Sequence, residues 1–155
     1  MRINIICIGK LKESYLSHSV DDYFNRISHY TKLTIDQIKD EKIQGKASQA
    51  QLNIIKNKEG EKILLRTKSL TGHSFFPLSV DGESFTSEGF ASLINHNPRC
   101  TFIIGGTLGL SKDVINLGRA ISFSKLTFSH QIMRLILLEQ IFRAYKIINN
   151  ETYHK

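Results

Sequence analysis

The sequence predicts a single α/β domain in which helices flank a mostly parallel sheet. Short runs of β-branched and aromatic residues alternate along the chain with longer segments of helical periodicity, and this alternation is typical of parallel sheets. A length of 155 residues suits one domain, residues 1–155, and the chain contains no internal repeat, low-complexity tract or linker. An apolar fraction of 41% is that of a globular protein.

Five strands are predicted from short apolar runs. Residues 2–8 have the composition of a buried strand, and Leu33, Ile35 and Ile38 suit a second one. The pair Asp81-Gly82 is predicted to turn the chain after the third strand. The predicted strands cover residues 2–8, 33–38, 75–80, 101–104 and 120–123.

Five helices are predicted between and after these strands. Leu16, Val20, Phe24, Ile27 and Tyr30 form one apolar stripe in the first helix. Thr86 is predicted to open a short helix that ends near Ile94. The predicted helices cover residues 14–30, 48–66, about 86–94, 111–117 and 130–148.

The last predicted helix, residues 130–148, is apolar on more than one face. A helix of this kind is buried on more than one side. One side is expected to pack on the sheet of the same chain, and the other on a second subunit, which predicts a homodimer. The alternative is a central helix within a monomer, although so small a domain has few elements to cover it.

The net charge of +7 is distributed unevenly along the chain. Residues 1–68 carry thirteen Lys and Arg against eight Asp and Glu, and residues 119–155 carry six against two. Residues 69–118 carry two against four. The two basic ends favour a polyanionic partner and leave the middle of the chain for a binding pocket.

Several classes of protein are disfavoured by what the sequence lacks. The N-terminal apolar run is too short for a signal peptide or a membrane span, which predicts no membrane association. Cys7 and Cys100 both lie in apolar runs and are predicted to be reduced core residues of a cytoplasmic protein. No cluster of His, Cys, Asp and Glu has metal-ligand spacing, so no metal is expected.

A glycine-rich loop, residues 105–109, follows the apolar strand Thr101–Ile104. Glycines let backbone amides approach a nucleotide-like ligand closely, at the carboxyl end of a strand. The loop does not match the dinucleotide fingerprint, and it lies too late in the chain for a complete Rossmann unit to follow. On its own it is equally consistent with a plain strand-to-helix turn.

Further motifs raise the specificity of the pattern. With them the chain resembles the RlmH-type 23S ribosomal RNA pseudouridine methyltransferases, members of the SPOUT superfamily. The resemblance runs from the first strand to the last residue. It is carried by Ile8-Gly9-Lys10-Leu11-Lys12, Lys58-Glu59-Gly60, the glycine loop, Ile121 to Gln131 with its Ser-Lys-x-Thr-Phe sequence, Met133-Arg134, Glu139 to Ala144, and Tyr153-His154-Lys155.

The resemblance implies a fold and a cofactor. SPOUT enzymes thread the C-terminal part of the chain through a loop to give a deep trefoil knot, and they bind S-adenosylmethionine in it. Backbone groups of the second loop would hold the adenine edge, and Leu78 and Leu126 would offer apolar walls. The implied cofactor-binding residues are Leu78, Gly105, Phe123, Ser124, Lys125, Leu126, Thr127 and Phe128.

Two arginines in the last predicted helix are candidate substrate-binding residues. Arg134 and Arg143 would meet RNA phosphate or the cofactor carboxylate, for which guanidinium groups are well suited. The structural alternative is that Arg143 pairs with Glu139 at i, i+4 and that Arg134 borders solvent. Contact with phosphate or cofactor is expected for Arg134, and for Arg143 both this contact and the pairing with Glu139 stay open.

The polar tail, Tyr153-His154-Lys155, is expected to be mobile in an isolated chain. The resemblance implies instead that it folds over the cofactor pocket of a partner subunit, which makes a composite active site. Tyr153 would then stack on the target base, His154 would help to remove the imide proton, and Lys155 would contact phosphate.

The sequence departs from the family pattern at two positions. Ser129 replaces the proline of Thr-Phe-Pro-His, which removes a fixed φ angle from the loop. Pro77 precedes Leu78, where relatives have an ordinary strand residue, and an interior strand would lose a hydrogen bond there. Both changes are expected to affect the cofactor loop or stability.

The resemblance implies methylation of the imide nitrogen of a pseudouridine in the domain IV hairpin of 23S rRNA, on assembled ribosomes. Two other classes remain open from the residues alone. A non-catalytic RNA- or ribosome-binding module derived from this fold would explain the charge but leave both loops unused. A small nucleotide-cofactor oxidoreductase would explain the glycine loop but not the basic tail.

Overall fold

A computed structural model describes residues 1–155 and has the predicted α/β architecture. Five strands form a parallel sheet in the order β2-β1-β4-β3-β5. The strands are β1 (Arg2–Ile8), β2 (Lys32–Ile38), β3 (Ser74–Ser84), β4 (Arg99–Ile104) and β5 (Ile121–Ser122). The helices are α1 (Ser14–Ser28), α2 (Gln49–Thr67), α3 (Ser87–His96), α4 (Lys112–Ile115) and α5 (His130–Ile148). The trefoil knot implied by the resemblance stays a prediction.

The sheet has an apolar core on each face. Alternate side chains of a strand point to opposite faces, so Ile3 and Ile5 of β1 join one core whereas Ile6 and Ile8 join the other. Helices α1, α3 and α5 cover the first face, and α2 and α4 cover the second. The near-continuous apolar sequence of β1 and β4 follows from this burial on both sides.

Helix α5 lies between α1 and α3 on the first face. Its buried residues are Arg134, Leu137, Leu138, Ile141, Phe142, Ala144 and Tyr145. These residues lie on one side of the helix, which its own sheet, α1 and α3 cover. On the other side Ile132 is 42% exposed and Ile136 is only partly buried, so packing of this side on a second subunit stays a prediction.

Helices α2, α3 and α5 each begin after a hydroxyl residue that caps the first turn. Ser48 forms a capping box with Gln51, and the Oγ1 of Thr86 accepts a hydrogen bond from Gly89 N at 3.0 Å. The Oγ of Ser129 accepts a hydrogen bond from Ile132 N at 3.3 Å. The predicted start at Thr86 is confirmed, and these caps explain why the predicted helix starts agree with the structure.

Strand β3 extends through Asp81 and Gly82 to Ser84, so the predicted turn does not end the strand, but the strand is irregular there because Leu78 and Glu83 both pair with Ile121 of β5. The extension depends on a contact distant in sequence. A Cβ atom at Gly82 would lie 2.5 Å from the carbonyl carbon of Ile121, so the glycine lets β3 run directly against β5. Glu83 N also donates to Ala120 O at 3.0 Å.

Pro77 occupies the position where β3 changes neighbours. Its pairing with Ile103 is the last between β3 and β4, and Leu78 then pairs with Ile121 of β5. A proline lacks the N–H that a continuous ladder needs. Because Pro77 lies where the β3–β4 ladder ends and the β3–β5 ladder begins, its missing N–H interrupts neither ladder.

Candidate active site

A cavity of about 730 Å³ opens beyond the carboxyl end of β4, where β3 diverges towards β5. Its volume lies within the range of roughly 300–1,000 Å³ that is usual for small-molecule sites. The predicted residues that line it are Leu78, Gly105, Phe123, Ser124, Leu126, Thr127 and Phe128. Lys125 is exposed and is not part of the lining. The structure thus brings the two predicted loops together around one space.

The glycine loop forms one wall of the cavity and closes on itself. Gly109 N donates to Gly106 O at 3.1 Å, which makes a tight turn, and Gly109 has a φ of +78°. A Cβ at Gly105 would lie 2.6 Å from the carbonyl carbon of Gly109. Gly105 must therefore be small because the loop folds back against it. From the sequence alone, its small size was expected to let a ligand approach the backbone.

A buried carboxylate supports the glycine loop from behind. Glu59 of α2 is 4% exposed, and its Oε1 lies 3.3 Å from the position that a Cβ of Gly106 would occupy. Burial raises the pKa of Glu59, and the hydrogen bond that its Oε2 accepts from Glu41 N at 3.1 Å opposes this rise. Glu59 therefore joins α2, the segment after β2 and the glycine loop.

The second loop, residues 123–129, is shaped by local hydrogen bonds. Leu126 N donates to Ser124 Oγ at 2.9 Å, and Ser122 Oγ donates to Ser124 O at 3.0 Å. The ring of Phe123 packs edge-on against Phe90, with 5.4 Å between centroids, and anchors the start of the loop in the core. The side chain of Leu126, which is 71% exposed, stands at the rim of the cavity.

The lining contains one permanently charged side chain, Lys12, and no carboxylate. His130 also lines the cavity, and its buried Nδ1 has no hydrogen-bond partner. Burial lowers the pKa of His130, as do the nearby charges of Arg134 and Lys12, so the ring is neutral at pH 7. No group of three His, Cys, Asp or Glu side chains is arranged to hold a metal.

Arg134 does not border solvent, and it does not line the cavity. It is 1% exposed, and its Nη2 donates to Gly9 O at 3.0 Å. Burial lowers the pKa of this guanidinium, and no carboxylate lies within 4.0 Å. This placement corrects the expected direct contact with phosphate or cofactor, because the side chain extends inward to the end of β1.

Arg143 has the structural partner that the sequence offered as an alternative. Its Nη2 donates to Glu139 Oε1 at 2.6 Å. This half-buried ion pair raises the pKa of Arg143, chiefly through the hydrogen bond. The guanidinium of Arg143 also contacts Tyr153 and His154 of the C-terminal tail.

The tail is docked on its own chain in the structure. The Tyr153 ring packs edge-on against Phe142 at 5.0 Å between centroids, and burial is the largest cause that raises its pKa, to about 12. His154 Nε2 lies 2.9 Å from Glu88 Oε1, and its Nδ1 lies 3.3 Å from Arg143 Nη1. Tyr153, His154 and Lys155 do not line the cavity of the same chain.

Lys12, His130 and Gln131 line the cavity, although the sequence assigned no role to any of them. Lys12 belongs to the Gly-Lys-Leu-Lys motif after β1, and His130 and Gln131 begin α5. All three residues belong to the motifs that carry the family resemblance, and this is the only sign of them in the sequence. The sequence does not signal that the end of β1 and the start of α5 meet, since 119 residues separate Lys12 from Gln131.

None of the five helices has both the length and the apolar character that crossing a bilayer requires.

Comparison with known proteins establishes the class of protein that this fold and cavity define. Residues 1–154 match the family model described as "Predicted SPOUT methyltransferase". The chain therefore belongs to the SPOUT methyltransferase family, as the motifs indicated.

More specific relatives match over the full length of both chains. A protein of Clostridium novyi is 48% identical, one of Clostridioides difficile 47% and one of Halothermothrix orenii 44%, each with 100% of both chains covered. All three are named ribosomal RNA large subunit methyltransferase H.

Proposed function

We propose that this chain is an S-adenosylmethionine-dependent methyltransferase of 23S rRNA that acts on the imide nitrogen of a pseudouridine in the domain IV hairpin. The observation that carries the proposal is the single cavity formed by the glycine loop and residues 123–129. It occurs in a chain whose full-length relatives are named ribosomal RNA large subunit methyltransferase H. Membership of a methyltransferase family implies a methyl donor.

The cavity fits S-adenosylmethionine in size and in chemistry. Leu78, Leu126 and Phe128 offer apolar walls for a ring system, and the glycine loop offers backbone groups along one side. When bound, this cofactor supplies a methyl group already activated on a sulfonium. The protein therefore has two tasks, namely to align the target nitrogen and to assist loss of its proton.

The group that accepts this proton is proposed to come from a second subunit. The lining holds no carboxylate, and the buried Nδ1 of His130 is out of contact with solvent. His154 of one chain, closing over the cavity of its partner in a homodimer, would supply an imidazole as general base. Tyr153 would stack on the target base beside it.

Exposed apolar side chains around the cavity support a partner surface. Val80, Leu126 and Phe128 line the cavity and are exposed, and Ile132 in the first turn of α5 is 42% exposed. Large apolar side chains that cluster at one rim are typical of interaction sites. The dimer is proposed on this ground, together with the apolar side of α5 that its own chain leaves partly exposed.

The proposed substrate agrees with the charge of the chain. Residues 119–155 carry six Lys and Arg against two Asp and Glu, and Lys155 at the end of the tail is exposed. Lys155 and Arg143 are proposed to contact RNA backbone near the composite site, which would position the target without specifying its sequence. The reaction is placed in the cytoplasm, on assembled ribosomes.

The test compares rRNA from cells with and without the gene by mass spectrometry, together with titration of the purified chain with S-adenosylmethionine. Loss of one methylated pseudouridine and measurable cofactor binding are expected. Identical rRNA from the two strains would contradict the proposal. In that event, binding of a nicotinamide cofactor would favour an oxidoreductase, and binding of neither cofactor would favour an RNA-binding module.

A further inference from the structure

The segment Gly9–Lys12 joins β1 to α1 and has no role in the function proposed so far. Its last residue, Lys12, lines the cavity. Lys10 lines a separate groove of about 650 Å³ between α1 and β2. The two lysines are exposed and lie beside adjacent depressions in the surface.

Three side chains from the start of α5 hold this segment in place. Arg134 Nη2 donates to Gly9 O at 3.0 Å, and Lys12 N donates to Gln131 Oε1 at 2.9 Å. The His130 ring lies against Gly9, where a Cβ would be 3.0 Å from Cε1, and Gly9 has a φ of +88°. A connection fixed at both of its ends presents Lys12 in one defined position.

The segment carries positive charge that no ion pair neutralises, and the nearest acid that acts on the same cluster is Asp40, whose charge raises the pKa of His130. Lys10, Lys12 and the buried Arg134 have no carboxylate oxygen within 4.0 Å, and none of them takes part in the ion pairs of the chain. Asp21 lines the same groove as Lys10 but lies outside this distance. Three cations close together without paired acids create a local potential that attracts an anion.

We propose that Lys12 binds a backbone phosphate of the RNA beside the target nucleotide, with Lys10 as a neighbouring phosphate contact. The inference rests on the proposed function and identifies how the same site holds its substrate. A base that enters the cavity brings its own phosphates to the rim, where Lys12 is exposed. Gln131 and Arg134 act as positioning residues, because they contact the backbone of the segment and do not reach the phosphate.

The test is the substitution Lys12→Gln, assayed with unmethylated ribosomes at several salt concentrations. We expect the KM for ribosomes to rise about fivefold, in line with loss of one phosphate contact. The slope of log affinity against log salt should fall by about 0.7–0.9. Turnover at saturation and affinity for S-adenosylmethionine should stay close to those of the unmodified chain.

Two further variants make the result specific. Lys12→Arg keeps the charge and should restore most of the affinity for ribosomes. Lys32→Gln removes an exposed lysine at the amino end of β2, whereas Gly9–Lys12 follows the carboxyl end of β1, and it should leave KM and salt slope unchanged.

Other outcomes would overturn the inference. An unchanged KM and salt slope in an active Lys12→Gln variant would show that Lys12 does not contact RNA. A loss of cofactor affinity would assign Lys12 to the cofactor carboxylate instead. If the unmodified chain methylates no ribosome, the proposed function itself fails, and the inference fails with it.

Discussion

The guanidinium of Arg143 lies over the ring of Tyr153, with its central carbon 4.8 Å from the ring centroid. The hydroxyl of Tyr153 donates to Glu139 Oε1 at 3.1 Å, and the same oxygen accepts the hydrogen bond from Arg143. Arg143 therefore joins a cation–π contact to an ion pair, and the two together attach the C-terminal tail to α5.

Replacing Arg143 with Gln should release the tail. Loss of the cation–π contact and of a half-buried ion pair is expected to cost about 1 kcal/mol of unfolding free energy. Hydrogen exchange of residues 151–155 should become faster, while affinity for S-adenosylmethionine is kept. Arg119→Gln is the matched control, since Arg119 also pairs with a carboxylate, Glu83, and lies over an aromatic ring, Phe85, at 5.2 Å. Equal protection of the tail in both variants would refute the attachment.

Replacing His154 with Ala should lower methyl transfer by on the order of 10²-fold without loss of the cofactor. A higher pH should restore part of the rate, because hydroxide can then remove the imide proton. Single-turnover rates measured over a range of pH would test this. A variant with reduced ribosome affinity and normal turnover at saturation would make His154 an RNA contact instead of a base.

The second loop should accept the proline that the family pattern predicts at position 129. Ser129 has a φ of −59°, which a proline adopts without strain, and its N–H makes no hydrogen bond within the chain. Ser129→Pro loses the cap on Ile132 N, at about 1 kcal/mol, but also restricts the unfolded chain, which offsets about 0.4–1 kcal/mol.

Ser129→Pro is therefore expected to be almost neutral in thermal unfolding and to keep its cofactor affinity. Ser129→Ala loses the cap without the offset, so it should be the less stable of the two variants. The opposite order would mean that the loop depends on the serine in another way.

Sedimentation of the unmodified chain should give about twice the chain mass of 17.7 kDa. Ile132→Glu places a charge on the exposed apolar rim and should shift the equilibrium to monomer with loss of methyl transfer. Leu65→Glu alters a residue of α2 that is 64% exposed, away from the cavity, and should leave the dimer intact. A monomeric wild type that still methylates rRNA would exclude the composite site.

Two histidines should make stability depend on pH. Burial is the largest cause that lowers the pKa of both His73 and His130, so the folded state favours their neutral rings. As the pH falls through the ordinary value of about 6.5, the unfolded chain takes up protons first, and folding stability is lost. Urea unfolding should show that the free energy of unfolding falls less between pH 7.5 and pH 5.5 in the double variant His73→Asn/His130→Asn than in the unmodified chain. Equal losses would refute this assignment.

The sequence predicts best those helices and strands whose ends are set by residues close by in the chain. Helix α5 was predicted with the observed bounds, because its apolar residues begin at Ile132, shortly after the capping Ser129, and end before the polar residues that follow Ile148. The whole of β3 was not predictable, since its extension past Asp81 depends on the contact of Gly82 with Ile121.

The same distinction holds for the site. The glycine loop was identified from its composition and the second loop from the family resemblance, whereas the burial of Arg134 was missed. An arginine between apolar residues resembles a surface residue, and its acceptor, Gly9 O, lies 125 residues away in sequence. Lys12 was missed as part of the cavity for the same reason.

The closed turn from Gly106 to Gly109 has a consequence for the thermodynamics of ligand binding. A loop that its own backbone already orders loses its conformational entropy when the chain folds, so that loss does not weaken the complex. The cavity is in this sense preorganised on the glycine side. Calorimetry should accordingly find little loss of entropy from ordering of the glycine loop when a ligand binds. The association rate of a small ligand should not be limited by closure of this loop.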